Sequence, residues 1–181
     1  ARVVVRAQPG GATAAELGVA FGHAARRTVP LGDHPVPLLV VGSGPDEWRV
    51  LAPPGTQSLV VDAVTAVAAV APDELVTVVD LTHGTALMRL TGDRSAELLA
   101  RETAVDLADR ACPDGSALRT ALAGLAVDVV RDDQAGVRSY LVGCERSSGQ
   151  YLFDCLLESG ADLGVDVDGF LPTAMEESDD G

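Results

Sequence analysis

The sequence predicts an α+β fold, two-layer antiparallel sheets with helices packed on one face. Two observations predict it. The joins between the strand-like segments are too short for the crossovers that parallel strands require, and helical segments with cap signals separate the groups of strands. The 181 residues are 47% hydrophobic with only six aromatic side chains (one Trp, two Tyr, three Phe), so the core is expected to be aliphatic. A chain of this length hides roughly 70% of its unfolded surface and needs no staple to fold.

In chain order, Arg2 to Arg6 reads as a strand, Pro9-Gly10-Gly11 as a turn, and Thr13 with Glu16 three residues later as the capping box of a small helix. Thr28 to Pro37 is rich in Pro and Gly and reads as a connector. Leu38 to Val41 and Glu47 to Leu51 flank Gly42-Ser43-Gly44-Pro45-Asp46, whose residues supply the dihedrals of a tight reversal, so a hairpin is expected. Gln57 to Ala71 fits both a Val-rich strand and a helix with Leu59, Ala63, Ala66, Val67 and Val70 on one face; its length favours helix, stopped by Pro72-Asp73.

Strand Leu75 to Leu81 is expected to turn at His83-Gly84 into strand Thr85 to Leu90. Asp93 reads as the cap of a helix with Ala96, Leu99 and Ala100 on its apolar face. Val105 to Ser116 reads as loop, and Leu118 to Ala123, Ala126 to Arg131 and Val137 to Gly143 as strands. A last helix opens at Ser147 with Gln150 at the capping-box position, buries Tyr151, Leu152, Cys155 and Leu156, and stops at Gly160. These elements suggest an N-terminal lobe, 1–72, a second lobe, 73–170, and an acidic flexible tail, 171–181.

Composition excludes several functions. The net charge of −14, from 27 acidic and 13 basic residues, repels nucleic acid and anionic membrane surfaces. The longest apolar stretch, Leu59 to Ala71, is interrupted by Asp62 and Thr65 and is too short to span a bilayer. The first residues lack the pattern of a signal peptide. Cys112, Cys144 and Cys155 are odd in number and form no C-x-x-C, which suits reduced thiols and a cytoplasmic setting. Cys155 reads as a small buried hydrophobe, whereas Cys112, beside Pro113 in a loop, is open to exposure.

Gly42-Ser43-Gly44 follows a strand but precedes another, so no helix N-terminus points at a phosphate. Asp80, His83 and Asp93 are explained by turns and caps, no His spacing suggests a metal, and no G-x-S-x-G elbow occurs. Asp128 is the one carboxylate that interrupts an apolar strand, Ala126-Val127-Asp128-Val129-Val130. Alternation places it opposite Val127 and Val129, facing solvent or a partner subunit, which reads as a solvated outward position; the residues by themselves assign no catalytic group. Trp48, Tyr140 and Tyr151 are either core side chains or interface anchors.

Asp80-Leu81-Thr82-His83, a strand, Gly92-Asp93, a helix with Leu98-Leu99, Val105-Asp106-Leu107 and a paired-strand unit resemble, in that order, the first domain of the glycine-cleavage T-protein (aminomethyltransferase) superfamily. Gly44-Pro45-Asp46-Glu47-Trp48, Pro113-Asp114-Gly115-Ser116 and Tyr151-Leu152-Phe153-Asp154-Cys155-Leu156 narrow the resemblance to gamma subunits of heterotetrameric sarcosine oxidases. The resemblance covers roughly residues 14 to 160 and rests on the order of several weak motifs.

Aminomethyltransferases of the superfamily hold a catalytic Asp near the hairpin that here spans Leu122 to Val130, and Asp128 is the nearest match. The hairpin is shorter than theirs, and the later domains that enclose tetrahydrofolate are expected to be missing. The resemblance therefore implies a non-catalytic subunit, partnered by flavoprotein alpha and beta subunits and a small delta subunit. Such complexes demethylate sarcosine oxidatively to glycine with FAD, FMN and NAD and pass the methyl carbon to tetrahydrofolate. The other reading is a stand-alone folate-binding protein of aminomethyltransferase type.

Overall fold

Strand β1, Arg2–Arg6, reads Arg-Val-Val-Val-Arg, and its period of two sends Val3 and Val5 to one side and Arg2, Val4 and Arg6 to the other. That alternation organises the first half of the computed structural model, which describes residues 1–31, 34–69 and 73–169. Helix α1 is Ala12–Leu17, β2 Ala24–Leu31, β3 His34–Gly42, β4 Glu47–Leu51, α2 Gln57–Ala69 and β5 Thr77–Asp80. The five strands form an antiparallel sheet in the order β2-β3-β4-β1-β5. Val3, Val5, Leu38, Val40, Trp48 and Val50 pack on the helix side with Leu17 of α1 and Val60 and Val64 of α2.

The second sheet follows the same rule. Strands β6, Thr85–Thr91, β7, Ala117–Leu122, β8, Leu125–Arg131, and β9, Ser139–Glu145, pair antiparallel in the order β6-β9-β8-β7. Val127, Val129, Tyr140 and Val142 meet helix α3, Ser95–Glu102, through Leu98 and Leu99, and helix α4, Gly149–Gly160, through Leu152 and Leu156. Val130, Leu141 and Ala117 point the other way and pack on Leu39 and Val41 of the first sheet. Each sheet thus carries helices on one face and meets the other sheet on its second face, which is the expected α+β class. Arg26 of β2 ties the sheets further by donating to Asp132, just beyond β8, at 2.6 Å, and Arg89 of β6 donates to the same carboxylate at 2.7 Å.

Several local expectations are corrected. Thr28 to Pro37 belongs largely to the β2–β3 ribbon rather than to a connector. Of β3, only Leu39–Gly42 pair with β4, so Pro35 and Pro37 fall where β3 is an edge and a missing N–H costs no ladder bond. Strands β5 and β6 do not form a hairpin: β5 pairs with β1 and β6 with β9, and the short segment between them carries the chain from one sheet to the other. Helix α2 buries Val60 and Val64, four residues apart, while Leu59 is exposed.

The helix starts also differ. The N-cap residues of α1, α3 and α4 make no capping hydrogen bond with their own side chains. Glu74, distant in sequence, takes the place expected of Glu16 and accepts hydrogen bonds from the backbone N–H and hydroxyl of Thr13 at 3.0 and 2.9 Å. Tyr151, expected in the core, is 53% exposed and donates its hydroxyl to the Ala123 carbonyl. Cys112 is buried and Cys155 half-buried, the reverse of their expected order, and the three thiols are free. Val70, Pro72 and the acidic tail 171–181 lie outside the described residues.

Candidate functional site

The inter-sheet face places six charged side chains together. On β1 and β4, antiparallel register sets Arg6 opposite Glu47 and Val4 opposite Arg49, with Arg2 two residues along the same face. On the second sheet it sets Arg119 of β7 opposite Asp128 of β8, and Asp128 opposite Gly143 of β9. Together they border a cleft of about 510 Å³ whose apolar part includes Val41, Leu51, Val130 and Leu141.

Asp128 does not face solvent or a separate subunit on this face; the first sheet of its own chain covers it. One carboxylate oxygen, Oδ2, accepts from Arg2 Nη2 at 3.2 Å and is ion-paired with Arg49 Nη1, and Oδ1 accepts from Arg119 Nε at 3.0 Å. The alternation argument placed Asp128 on the correct side of β8 but could not show that β1 and β4 lie over it. A general base needs an oxygen within reach of a substrate proton, and here both oxygens are taken by guanidinium groups.

Glu47 is the second anionic centre. It accepts from Arg6 Nη2 at 2.8 Å and Ser43 Oγ at 2.9 Å, and Arg49 and Arg119 approach it at 3.5 and 3.4 Å. Burial pushes its carboxyl up, but the hydrogen bonds from Arg6 and Ser43 and the charges of Arg49 and Arg119 outweigh this and hold it below the usual glutamate value. Desolvation is also the main influence on Arg2 and Arg49. It lowers Arg2, aided by the charge of Arg119, and it lowers Arg49 to about 10, aided by Arg2 and Arg119.

The sign of the Glu47 effect sets a pH dependence. Because its folded-state value is depressed, the stability it contributes is complete above the unfolded value of about 4.3 and is lost as pH falls through the lower folded value. Denaturant unfolding followed from neutral pH into that acidic window is expected to show a loss of stability that is smaller in Glu47→Gln. Equal slopes in the two proteins would contradict the assignment.

The other sequence candidates are dispersed. Asp80 Oδ1 accepts from the Thr82 backbone N–H at 2.9 Å, which is turn chemistry. Among the described residues, no three His, Cys, Asp or Glu side chains are gathered for a metal, and no helix is long and apolar enough to cross a membrane. Sequence reading missed Arg2, Arg6, Glu47, Arg49 and Arg119. The available signal was charge at alternate positions in two strands, Arg2-x-x-x-Arg6 and Glu47-x-Arg49, whose intervening residues are all apolar.

The model of the GCVT N-terminal domain family matches residues 37–175. The chain belongs to that family. Among solved structures, this GCVT-type domain is similar to a chain of the heterotetrameric sarcosine oxidase from Corynebacterium sp. U-96, solved in complex with pyrrole 2-carboxylate. The TM-score is 0.69 and the identity 22%, over 93% of this chain and 83% of that one. It is also similar to the glycine cleavage system aminomethyltransferase T from Bartonella henselae, with a TM-score of 0.66 and 12% identity. That match covers 86% of this chain and 42% of the transferase, so the chain spans less than half the transferase's length. At these identities the likeness is one of fold. No curated protein sequence matches the chain.

Proposed function

We propose that the chain is a non-catalytic structural subunit of a heterotetrameric sarcosine oxidase-type complex. In this reading it takes the gamma position, docks on flavoprotein alpha and beta subunits beside a small delta subunit, and works in the cytoplasm in sarcosine catabolism. FAD, FMN and NAD belong to the partner subunits, which demethylate sarcosine to glycine and pass the methyl carbon to tetrahydrofolate. The observation that carries the reading is the arginine clamp on Asp128. The resemblance assigns the family's chemistry to a carboxylate at this hairpin, and here that carboxylate is engaged by Arg2, Arg49 and Arg119. The fold shared with the Corynebacterium oxidase chain supports the same reading.

Co-expression with candidate alpha, beta and delta subunits tests it. Size-exclusion chromatography is expected to return one stoichiometric complex at low and at high salt. Elution of the chain by itself under both conditions would remove the proposal and favour a protein that acts alone, with or without folate.

A further inference from the structure

The cleft between the sheets has unused donors. Arg2 keeps only 8% of its side chain exposed, and its Nε and Nη1 atoms have no hydrogen-bond partner; Arg49 Nε, at 14% side-chain exposure, has none either. Buried donors without acceptors are rare and costly, since each forfeits its water without replacement. Gly143 makes room for Arg2 itself: a Cβ there would stand 3.1 Å from Nη1, so the guanidinium lies flat against the glycine.

Charge points the same way. The cleft borders four arginines, Arg2, Arg6, Arg49 and Arg119, and three carboxylates, Asp46, Glu47 and Asp128. A local positive excess persists in a chain whose net charge is −14. Glu47 and Asp128 already receive guanidinium donors, so the excess is not cancelled by rearranging pairs within the cleft. The depressed proton affinities of Arg2 and Arg49 reflect the same crowding of cations in a desolvated place. Beside the charges, Val41, Leu51, Val130 and Leu141 offer aliphatic wall, and the volume of about 510 Å³ lies within the range of small-ligand pockets.

We propose that the inter-sheet cleft binds a small oxyanion, a carboxylate or a phosphate carrying a short apolar body, on the guanidinium groups of Arg2, Arg49 and Arg119. The anion accepts from Arg2 Nε and from Arg49 Nε, and its apolar part lies toward Val130 and Leu141. Arg119, 53% exposed, stands at the mouth and closes the charge around it. Such a site needs no partner subunit and stands whether or not the chain docks on a flavoprotein.

The full chain is titrated with butanoate and with inorganic phosphate, each against sodium chloride of equal ionic strength. Arginine Nε–H resonances and the thermal midpoint are followed. Saturable shifts of the Arg2 and Arg49 Nε–H signals with either probe are expected. Butanoate acting alone identifies a carboxylate ligand, and phosphate acting alone a phosphate. Arg119→Gln, on a 53% exposed side chain, is expected to weaken binding about tenfold, while Arg110→Gln, on an 86% exposed side chain outside the cleft, leaves it unchanged. The proposal fails if neither probe saturates, if chloride gives the same shifts, or if Arg119→Gln binds as tightly as the unmodified chain.

Discussion

Asp128→Ala is expected to lower the stability of the chain by about 3 kcal/mol, because removing one partner of a largely desolvated ion pair leaves the other charge uncompensated. Asp128 is 23% exposed, and it answers Arg2 and Arg49, which are more deeply buried than itself. Without it those two guanidinium groups and Arg119 would repel one another across the inter-sheet face, with Glu47 left to hold them. Asp128→Asn keeps an acceptor and the shape of the side chain, so its loss is expected to be smaller. Denaturant unfolding at neutral pH gives both values. A double-mutant cycle with Arg49→Met should show strong coupling, and additive single losses would mean that the contact contributes little.

Trp48→Ala is expected to cost about 3–5 kcal/mol, the range for deleting a buried aromatic ring. Trp48 is 4% exposed in the core between the first sheet and its helices, and its indole N–H donates to the Val19 carbonyl at 2.7 Å. The substitution would leave a cavity and an unpaired carbonyl together. Trp48→Phe separates the two: it fills most of the space but orphans the carbonyl, and about 1–3 kcal/mol is expected for that alone. Thermal and denaturant unfolding of the two variants measure the difference. If Trp48→Ala proved nearly neutral, the ring would not be the anchor of the N-terminal core.

The elements that could be read from sequence are those whose pattern is local. A valine run bounded by Arg2 and Arg6 marks β1, and Gly42 to Asp46 supplies turn chemistry, so β1 and the β3–β4 reversal follow without tertiary information. The caps did not follow. Thr13 is served by Glu74, which lies 61 residues away, and no window around α1 contains that partner. Pro35 and Pro37 suggested a connector because nothing local says that β4 stops short of them.

The site divided in the same way. Asp128 stood out as a charge in an apolar strand, and its side of the strand followed from period two. What stands opposite depends on how two sheets meet. Arg2 and Asp128 are 126 residues apart, and Arg49 joins them from β4, the strand paired with β1. A carboxylate that resembles a catalytic group in sequence is therefore, in three dimensions, the counter-charge of an arginine cluster.

Sarcosine turnover by the assembled complex carrying Asp128→Asn tests this most directly. Complexes are matched for stoichiometry so that any loss of fold is visible before rates are compared. The scaffold reading predicts a kcat within about twofold of the unmodified complex, since no bond-making step would pass through Asp128. A kcat lower by about a hundredfold or more in a fully assembled complex would contradict it, because that is the scale of a lost acid–base group.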